Sequence, residues 1–241
     1  MLDPRLSRLA VCSVVVLIAV LSYPAQLYLF RRFWSAAQFY AFNTLVACVW
    51  ISYFRTMLTD PGSPPRNWVP PVVGADDAED ARGRHENRRL VATGGRWCKR
   101  CQRFKPARTH HCRTCKRCIL RMDHHCPWTN CCIGYRNTPH FLRFLFYTTI
   151  ATSYLLLHLL SRAYAVWITR HRPAYYSPHT FPQLLLLASL LLISAPLSLT
   201  LLVLFLRTAV QAATGYTTIE TWELDHHRAL VRRGVTRNQV P

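Results

Sequence analysis

The sequence is short of acidic residues, and outside one stretch it has almost no cysteine. Its 241 residues include 11 Asp and Glu against 30 Lys and Arg, which gives a formal net charge of +19. About half of the residues, 51%, are nevertheless hydrophobic. This combination is unusual for a soluble globular protein and fits a membrane protein with a basic aqueous part. No internal repeat is evident.

The clustering of the cysteines in one stretch limits the kinds of site that they can form. Only Cys12 and Cys48 lie outside the stretch from Cys98 to Cys132, which holds the other eight cysteines and four histidines. A secreted disulfide scaffold would more often spread cysteine pairs along a small domain. C-x-x-C pairs mixed with histidine indicate instead a metal site in a reducing compartment.

Four long apolar segments account for the hydrophobic composition. They run from about Leu9 to Phe30, Gln38 to Leu58, Phe144 to Ile168 and Leu184 to Leu206. Each is close to the ~20 residues needed to cross a hydrocarbon core of ~30 Å. Buried core helices are the alternative, but they are seldom this long and this apolar. We therefore predict an all-α polytopic membrane protein with four transmembrane helices.

The basic residues predict the orientation of these helices. The long loop between the second and third segments is rich in Lys and Arg, Arg5 and Arg8 precede the first segment, and several arginines follow the fourth. Loops longer than ~60 residues are weak topology markers, but here the termini agree with the loop. Four crossings place both termini and the loop on one side. The positive-inside rule makes that side cytosolic, which also suits metal-bound thiols.

We divide the chain into five parts. Residues 1–58 hold the first two transmembrane helices, and residues 144–206 hold the other two. Residues 59–95 form an irregular cytosolic linker that contains Asp-Pro-Gly, and residues 96–143 form a cysteine-rich zinc domain. Residues 207–241 form a cytosolic tail that contains Thr-Thr-Ile-Glu.

The cysteine spacing indicates zinc but leaves the number of ions open. Three C-x-x-C spacings occur between Cys98 and Cys118, and this spacing lets two thiolates reach one ion. Two closed four-ligand sites would use eight of the twelve Cys and His, and three sites would need all twelve. Adjacent residues such as His124 and His125 point in different directions and rarely serve one ion. For so small a domain, each ion would supply on the order of 10 kcal/mol of folding free energy.

With two sites, the unused side chains would cluster around Asp123, His124, His125 and Cys126. One histidine would be tied to metal. The other could act as a base toward a free cysteine, with Asp123 orienting it. Nearby cations should lower the pKa of such a cysteine. Trp128 follows, and tryptophan prefers the membrane interface, so a nucleophile here should act on a lipidic group.

These residues resemble the DHHC family of protein S-acyltransferases, the palmitoyltransferases. The pattern C-x2-C-x9-H-C-x2-C-x2-C-x4-D-H-H-C-x5-C-x4-N-x3-F is complete from Cys98 to Phe141. Two shorter family marks also match, D-P-G at residues 60–62 and T-T-x-E at residues 217–220. The second mark is also a capping-box pattern for a following helix. The local sequences look most like a fungal subgroup associated with the endoplasmic reticulum.

The resemblance implies two structural zinc ions with interleaved ligands. One set would be Cys98, Cys101, His111 and Cys118. The other set would be Cys112, Cys115, His125 and Cys132. Because both sites would be full, neither ion should activate a substrate. The resemblance also implies that Cys126 is the nucleophile, His124 the base and Asp123 the orienting acid.

The activity implied is that of a protein S-palmitoyltransferase. A long-chain acyl group would pass from acyl-CoA, such as palmitoyl-CoA, to Cys126 and then to cytosolic cysteines of membrane-associated substrate proteins. The acyl chain would lie between the helices under Trp128 and Phe141. Arg117 and Arg121 are among the candidates for binding the phosphates of CoA. We expect no nucleic-acid partner and a place in the endoplasmic reticulum membrane, with the Golgi or another endomembrane as the alternative.

The length of the acyl chain should depend on the third helix. If this helix continues inward from Phe141, Ala151 lies ten residues, or about 15 Å, below the interface. Alanine is small, so the pocket should stay open there and accept both sixteen- and eighteen-carbon chains. The alternative is that Ala151 is small only because two helices pack closely.

One residue departs from the family pattern, and two other functions would also fit the sequence. The family usually has Asn where this chain has Cys131, which could be a harmless buried residue, compete for zinc or become acylated. The chain could also be a membrane-tethered zinc module that binds RNA or protein, or a redox-active thiol protein. Against the binding module, the basic residues are not interleaved with a row of stacking aromatics, and Asp-His-His-Cys would have no purpose.

Overall fold

The structure is a computed structural model, and it describes residues 4–70, 96–169 and 180–234. Within these residues, four helices are long and apolar enough to cross a membrane. A cysteine-rich unit lies between the second and third helices in the chain. The predicted fold class is therefore confirmed. Most of the predicted linker, residues 71–95, lies outside the described residues.

The helices are longer than the apolar segments that predicted them. Helix α1 spans Pro4–Pro24 and continues into a π-helical turn, Ala25–Phe30. The other helices are α2 (Ala36–Leu58), α3 (Thr138–Thr169), α4 (Phe181–Thr214) and α5 (Thr218–Arg232). The third and fourth membrane helices extend beyond the apolar segments because polar residues at their ends, such as Thr138 and Gln211, continue the helical conformation.

Local sequence explains where several helices begin. Helix α2 starts at a capping box, in which the amide of Gln38 donates to Ser35 Oγ and the amide of Ser35 donates to Gln38 Oε1. Thr180 and Gln183 form the same motif before α4. These caps satisfy amides that have no partner inside the helix.

The membrane helices pack around α3, which contacts α2 on one side and α4 on the other. One buried cluster joins all of them and includes Leu21, Phe30, Phe42, Leu155 and Leu190. A second cluster, nearer the cysteine-rich unit, includes residues of α2 and α3 together with Cys126 and Ile133. The second cluster therefore ties the cysteine-rich unit to the helices.

The cysteine-rich unit consists of three short antiparallel hairpins. They pair β1 (Arg96–Cys98) with β2 (Arg103–Lys105), β3 (His110–Cys112) with β4 (Arg117–Ile119), and β5 (His124–Cys126) with β6 (Cys131–Ile133). Each hairpin is displaced from the previous one by fourteen residues at every strand boundary. This short repeat was not predicted from the sequence, although the paired His-His-Cys tripeptides at 110–112 and 124–126 signal it.

The turns of the three hairpins share an unusual backbone conformation. Gln102, Lys116 and Asn130 occupy equivalent places and have φ angles of 48°, 54° and 50°. Positive φ in residues other than glycine is uncommon, and its recurrence shows that the three turns are built alike.

Candidate active site and metal centres

The first and second hairpins together form one group of metal-ligating side chains. Cys98 and Cys101 come from the first hairpin, and His111 and Cys118 come from opposite strands of the second. Their ligand atoms all lie within 4.8 Å of one another. His111 Nδ1 is 3.2 Å from Cys101 Sγ and 3.6 Å from Cys98 Sγ.

The second and third hairpins form the other group in the same way. Cys112 and Cys115 come from the second hairpin, and His125 and Cys132 face each other across the third. His125 Nδ1 is 3.4 Å from Cys115 Sγ and 3.6 Å from Cys132 Sγ. Among the described residues, these two groups contain the eight side chains expected to bind zinc, in the two expected sets.

Both groups fit a tetrahedral ion with three sulfur ligands and one nitrogen ligand. The separations between donor atoms, 3.2–3.8 Å, are those expected of ligands about 2.0–2.3 Å from a common centre. The thiols of one set also affect each other's pKa. A hydrogen bond between Cys115 and Cys132 lowers the pKa of Cys115 to about 5 and raises that of Cys132. A cation between the thiols would favour their ionised forms.

The fourteen-residue repeat explains why Cys126 lies outside both groups. Cys126 occupies the place of Cys98 and Cys112, the first cysteine of each C-x-x-C turn. Thr129 occupies the place of the second cysteine, and a threonine hydroxyl is not a usual zinc ligand. Within the described residues, no fourth hairpin follows to supply the other two ligands. The third turn therefore keeps a cysteine but lacks a metal site.

Cys126 is instead the end of a chain of polar side chains. The Nδ1–H of His124 donates to Asp123 Oδ2 at 2.7 Å, and His124 and Cys126 both line the same cavity and shift each other's pKa. The second oxygen of Asp123 accepts the main-chain amide of Thr218. This brings together the three residues predicted to be catalytic and leaves His124 Nε2 as the nitrogen that can act on Cys126.

The charges in this chain stabilise one another. Burial opposes ionisation of Asp123, but hydrogen bonds from His124 and Thr218 outweigh it and lower the pKa of the carboxyl group. Burial also opposes the charged form of His124, but Asp123 and Cys126 raise its pKa to about 9. Burial opposes ionisation of Cys126, but interactions with the side chains of His124 and Thr129 outweigh it and lower the pKa of the thiol.

A cavity of about 650 Å³ opens beside Cys126. His124, Cys126 and Trp128 line one end, and the lining continues between the membrane helices to Phe42 and Leu155. Most of the other lining residues are apolar, with several Ser and Thr among them. Trp128 is 56% exposed, whereas Cys126 is only 5% exposed. The sulfur therefore faces a partly open apolar space of the kind that holds a hydrocarbon chain.

Comparison with known proteins agrees with this geometry. The family described as DHHC palmitoyltransferase matches residues 92–225. This chain belongs to that family. Among curated relatives, Palmitoyltransferase pfa4 of Aspergillus fumigatus is 42% identical over 95% of this chain and 52% of its own length.

Other relatives of the DHHC chain are also fungal. Palmitoyltransferase PFA4 of Saccharomyces cerevisiae is 38% identical, over 90% of this chain and 52% of that protein. PFA4 of Yarrowia lipolytica is 34% identical, over 93% of this chain and 59% of that protein. These matches confirm the resemblance to a fungal subgroup. The chain spans about half the length of the curated relatives it matches.

The Thr-Thr-x-Glu mark of this DHHC protein joins α5 to the third hairpin. Thr217 and Glu220 form the expected capping box at the start of α5. Two nitrogens of the Arg108 guanidinium, Nε and Nη2, donate to the carboxylate of Glu220, Nη2 at 2.8 Å. Arg108 and Arg121 also donate to the carbonyl of Gly215. The start of α5 is thus held at the same place where Thr218 meets Asp123.

The Asp-Pro-Gly mark fixes the other side of the cysteine-rich unit. Asp60 Oδ1 accepts the amide of Gly62 at 2.8 Å, and Asp60 Oδ2 accepts Arg117 Nη1 at 2.6 Å. The amide of Leu120 donates to the carbonyl of Gly62 at 3.0 Å. Arg117 and Arg121, the predicted phosphate ligands, therefore both have protein partners. Their role toward CoA stays a prediction.

Two further residues, Asn137 and Tyr53, position the site, and neither positioning role was predicted from the sequence. Asn137 is completely buried; its side chain donates to the carbonyls of Cys132 and Thr56 and accepts the amide of Gly134. Tyr53, on α2, donates to the carbonyl of Trp128 at 2.9 Å. The family pattern signalled Asn137 without its contacts. Tyr53 lies 75 residues before Trp128, and nothing in the sequence signals their pairing.

Proposed function

We propose that this protein is a protein S-palmitoyltransferase that takes a long-chain acyl group from acyl-CoA. One observation carries this proposal. The Asp123–His124–Cys126 chain ends at a sulfur that is outside both metal groups and lines the apolar cavity. A nucleophile, a base and an orienting group together support covalent acyl transfer.

In the first step, Cys126 attacks the thioester carbonyl of acyl-CoA. His124 Nε2 holds the proton of the thiol, since the raised pKa of His124 favours the imidazolium, which the Asp123 carboxylate stabilises on Nδ1. The bond from the carbonyl carbon to the sulfur of CoA breaks, and the CoA thiolate leaves with a proton from His124. The acyl chain, now a thioester on Cys126, extends into the cavity.

In the second step, a cytosolic cysteine of a membrane-associated substrate protein attacks the acyl-enzyme. His124 again accepts the thiol proton, and Cys126 leaves. Because one product departs before the second substrate reacts, ping-pong kinetics are expected. Trp128 is exposed beside the cavity mouth and would contact the approaching protein or the membrane interface.

Two zinc ions would have a structural role. They would be bound by Cys98, Cys101, His111 and Cys118, and by Cys112, Cys115, His125 and Cys132. Bound zinc supplies a rigid link between the hairpins and leaves no open position for a substrate. His125 and Cys132 would hold the third hairpin from one side, so that His124 and Cys126 stay fixed on the other.

Arg117 and Arg121 remain candidates for the phosphates of CoA. A guanidinium has five N–H donors, so the contacts with Asp60 and Gly215 do not exhaust either side chain. Trp128 and Phe141 would contact the acyl chain, since both line the cavity. The proposal also includes the predicted domain bounds and cytosolic termini, which the basic loop supports. It further places the protein in the endoplasmic reticulum membrane, which the likeness to fungal relatives supports.

One experiment tests the proposal. Purified full-length protein is incubated with radiolabelled palmitoyl-CoA, and the label bound to protein is measured before and after neutral hydroxylamine, which cleaves thioesters. We expect hydroxylamine-labile label on the wild type and on Cys48→Ser, but none on Cys126→Ser. A zinc module for RNA or protein binding would take no label. Equal labelling of the wild type and Cys126→Ser would refute the proposed nucleophile.

A further inference from the structure

Cys126 and Cys131 lie directly opposite each other in the third hairpin. Directly opposed residues of an antiparallel pair point to the same face, with Cα atoms about 4.5–5.5 Å apart. The neighbouring pair, His125 and Cys132, points to the other face and brings Nδ1 and Sγ to 3.6 Å. The hairpin thus carries metal-ligating side chains on one face and two thiols on the other.

Both cysteines also contact the same threonine. The Cys131 thiol donates to Thr129 Oγ1 at 3.4 Å, and the Thr129 hydroxyl donates to the main-chain carbonyl of Cys126 at 3.4 Å. Cys126 belongs to the buried cluster that includes Tyr53 and Phe141, and Cys131 packs against this cluster. Thr129 therefore links the two opposed cysteines beside the apolar cluster.

Within the described residues, Cys131 makes few polar contacts. It belongs to neither metal group, and its remaining polar contacts, with Thr56 and Asn137, are long at 3.7 and 3.8 Å. The equivalent positions of the first two hairpins hold Arg103 and Arg117. Of the three described hairpins, only the third has a second cysteine opposite the first cysteine of its turn.

We propose that Cys126 and Cys131 form a reversible disulfide that switches acyl transfer off under oxidising conditions. The expected Cα separation lies within the range of about 4.4–6.8 Å that disulfides span. Side-chain rotation and displacement from Thr129 would then bring the sulfurs together. The consequence for activity rests on the proposed function, because the bond would consume the sulfur that attacks acyl-CoA.

The oxidant is a hydroperoxide. The Cys126 sulfur attacks its O–O bond, which breaks to give a sulfenic acid on Cys126 and an alcohol, or water from hydrogen peroxide. Cys131 then attacks the sulfenic sulfur, and a second oxygen atom leaves as water. The two thiols lose two electrons and two protons in total, and the hydroperoxide gains them. A low-molecular-weight thiol reverses the change by thiol–disulfide exchange.

The test uses the full-length, zinc-loaded protein and hydrogen peroxide. Free thiols are alkylated under denaturing, chelating conditions, and the peptide between Arg121 and Arg136 is analysed by mass spectrometry, with zinc per chain measured beforehand. In the oxidised wild type we expect alkylation of Cys132 alone, a loss of two hydrogens from the peptide, and unchanged zinc. Reduction with dithiothreitol should restore self-acylation to near its starting level.

Two variants make the test specific. Cys131→Ser should self-acylate before oxidation, but its Cys126 should proceed to sulfinic acid, so that dithiothreitol recovers several-fold less activity than in the wild type. Cys48→Ser, a cysteine on α2 in neither metal group, should behave as the wild type. Alkylation of Cys131 in the oxidised wild type, or equal recovery in Cys131→Ser, would overturn the inference.

Failure of the disulfide proposal can be distinguished from failure of the proposed acyltransferase function. The disulfide is read by mass and needs no activity, so a protein that forms it without self-acylating would refute the transferase and keep the thiol pair. A protein that self-acylates but yields a Cys132 disulfide with loss of zinc would refute the thiol pair and keep the transferase.

Discussion

The main-chain amide of Thr218 donates a hydrogen bond to the carboxylate of Asp123, which precedes it by 95 residues. Asp123 uses its other oxygen to hold His124. The start of α5 therefore reaches His124 through a single carboxylate. Since a helix N-terminus carries partial positive charge, this contact also favours the ionised form of Asp123.

Loss of the Glu220 side chain should weaken catalysis without touching the metal sites. In Glu220→Ala, the capping bond from the Thr217 amide and both bonds from Arg108 disappear, so that Thr218 holds Asp123 less firmly. We expect self-acylation several-fold slower and an unchanged zinc content. Glu223→Ala, one turn along the same helix, is the control and should match the wild type. A Glu220→Ala protein as fast as the control would show that α5 does not position Asp123.

Equivalent cysteines in two hairpins should respond in opposite ways to mutation. Cys112→Ala removes a ligand of the second metal group, so we expect loss of zinc and destabilisation by several kcal/mol. Cys126→Ser, at the equivalent place fourteen residues later, should keep its zinc and its thermal unfolding midpoint but lose self-acylation. Zinc per chain and the unfolding midpoint are measured for both. Loss of one zinc from Cys126→Ser would make that residue a ligand and refute its proposed role.

We expect His124 to affect the rate of acyl transfer but not the binding of zinc. His124→Ala removes the base between Asp123 and Cys126, and loss of a general base slows reactions by roughly 10²–10⁴-fold. Single-turnover labelling with palmitoyl-CoA measures the rate, and zinc per chain confirms that His125 still binds its ion. His110→Ala, at the equivalent place in the second hairpin, is the matched control. Near-normal rates across a pH series would exclude His124 as the base.

The residue at position 151 should influence the preferred acyl-chain length. Ala151 lines the cavity between its mouth and its far end at Phe42 and Leu155. In Ala151→Tyr the larger side chain fills the cavity, so that preference should shift from eighteen- toward fourteen-carbon acyl-CoA. Competition between the two donors gives the ratio. Ile150→Tyr, whose side chain is exposed and not among the cavity-lining residues, should leave the ratio unchanged. A constant ratio in an active Ala151→Tyr protein would contradict the prediction.

The sequence predicted those features that depend on local pattern. Apolar runs found all four membrane helices, and C-x-x-C spacing together with the family resemblance gave the two ligand sets that the hairpins bring together. The capping box at Thr217 and Glu220 was also predicted, because its two residues are close in the chain. Ala151 was expected to line the pocket and does so, since helical geometry fixes depth from residue number.

Contacts between distant segments could not be predicted. The bonds from Tyr53 to Trp128 and from Arg117 to Asp60 join segments far apart in the chain, and neither residue type specifies its partner. The hairpins themselves were missed because strands of three residues are too short to show an alternating pattern. The His-His-Cys tripeptides did signal them, but only once the repeat length was known.

The sharing of the second hairpin between both metal groups links the two binding equilibria. His111 and Cys112 are neighbours on one strand, yet they belong to different groups. Filling either group fixes this strand and so reduces the conformational entropy that the other group must lose on binding. Metal uptake by the cysteine-rich unit should therefore be cooperative, and a chain with a single ion should be rare at half saturation.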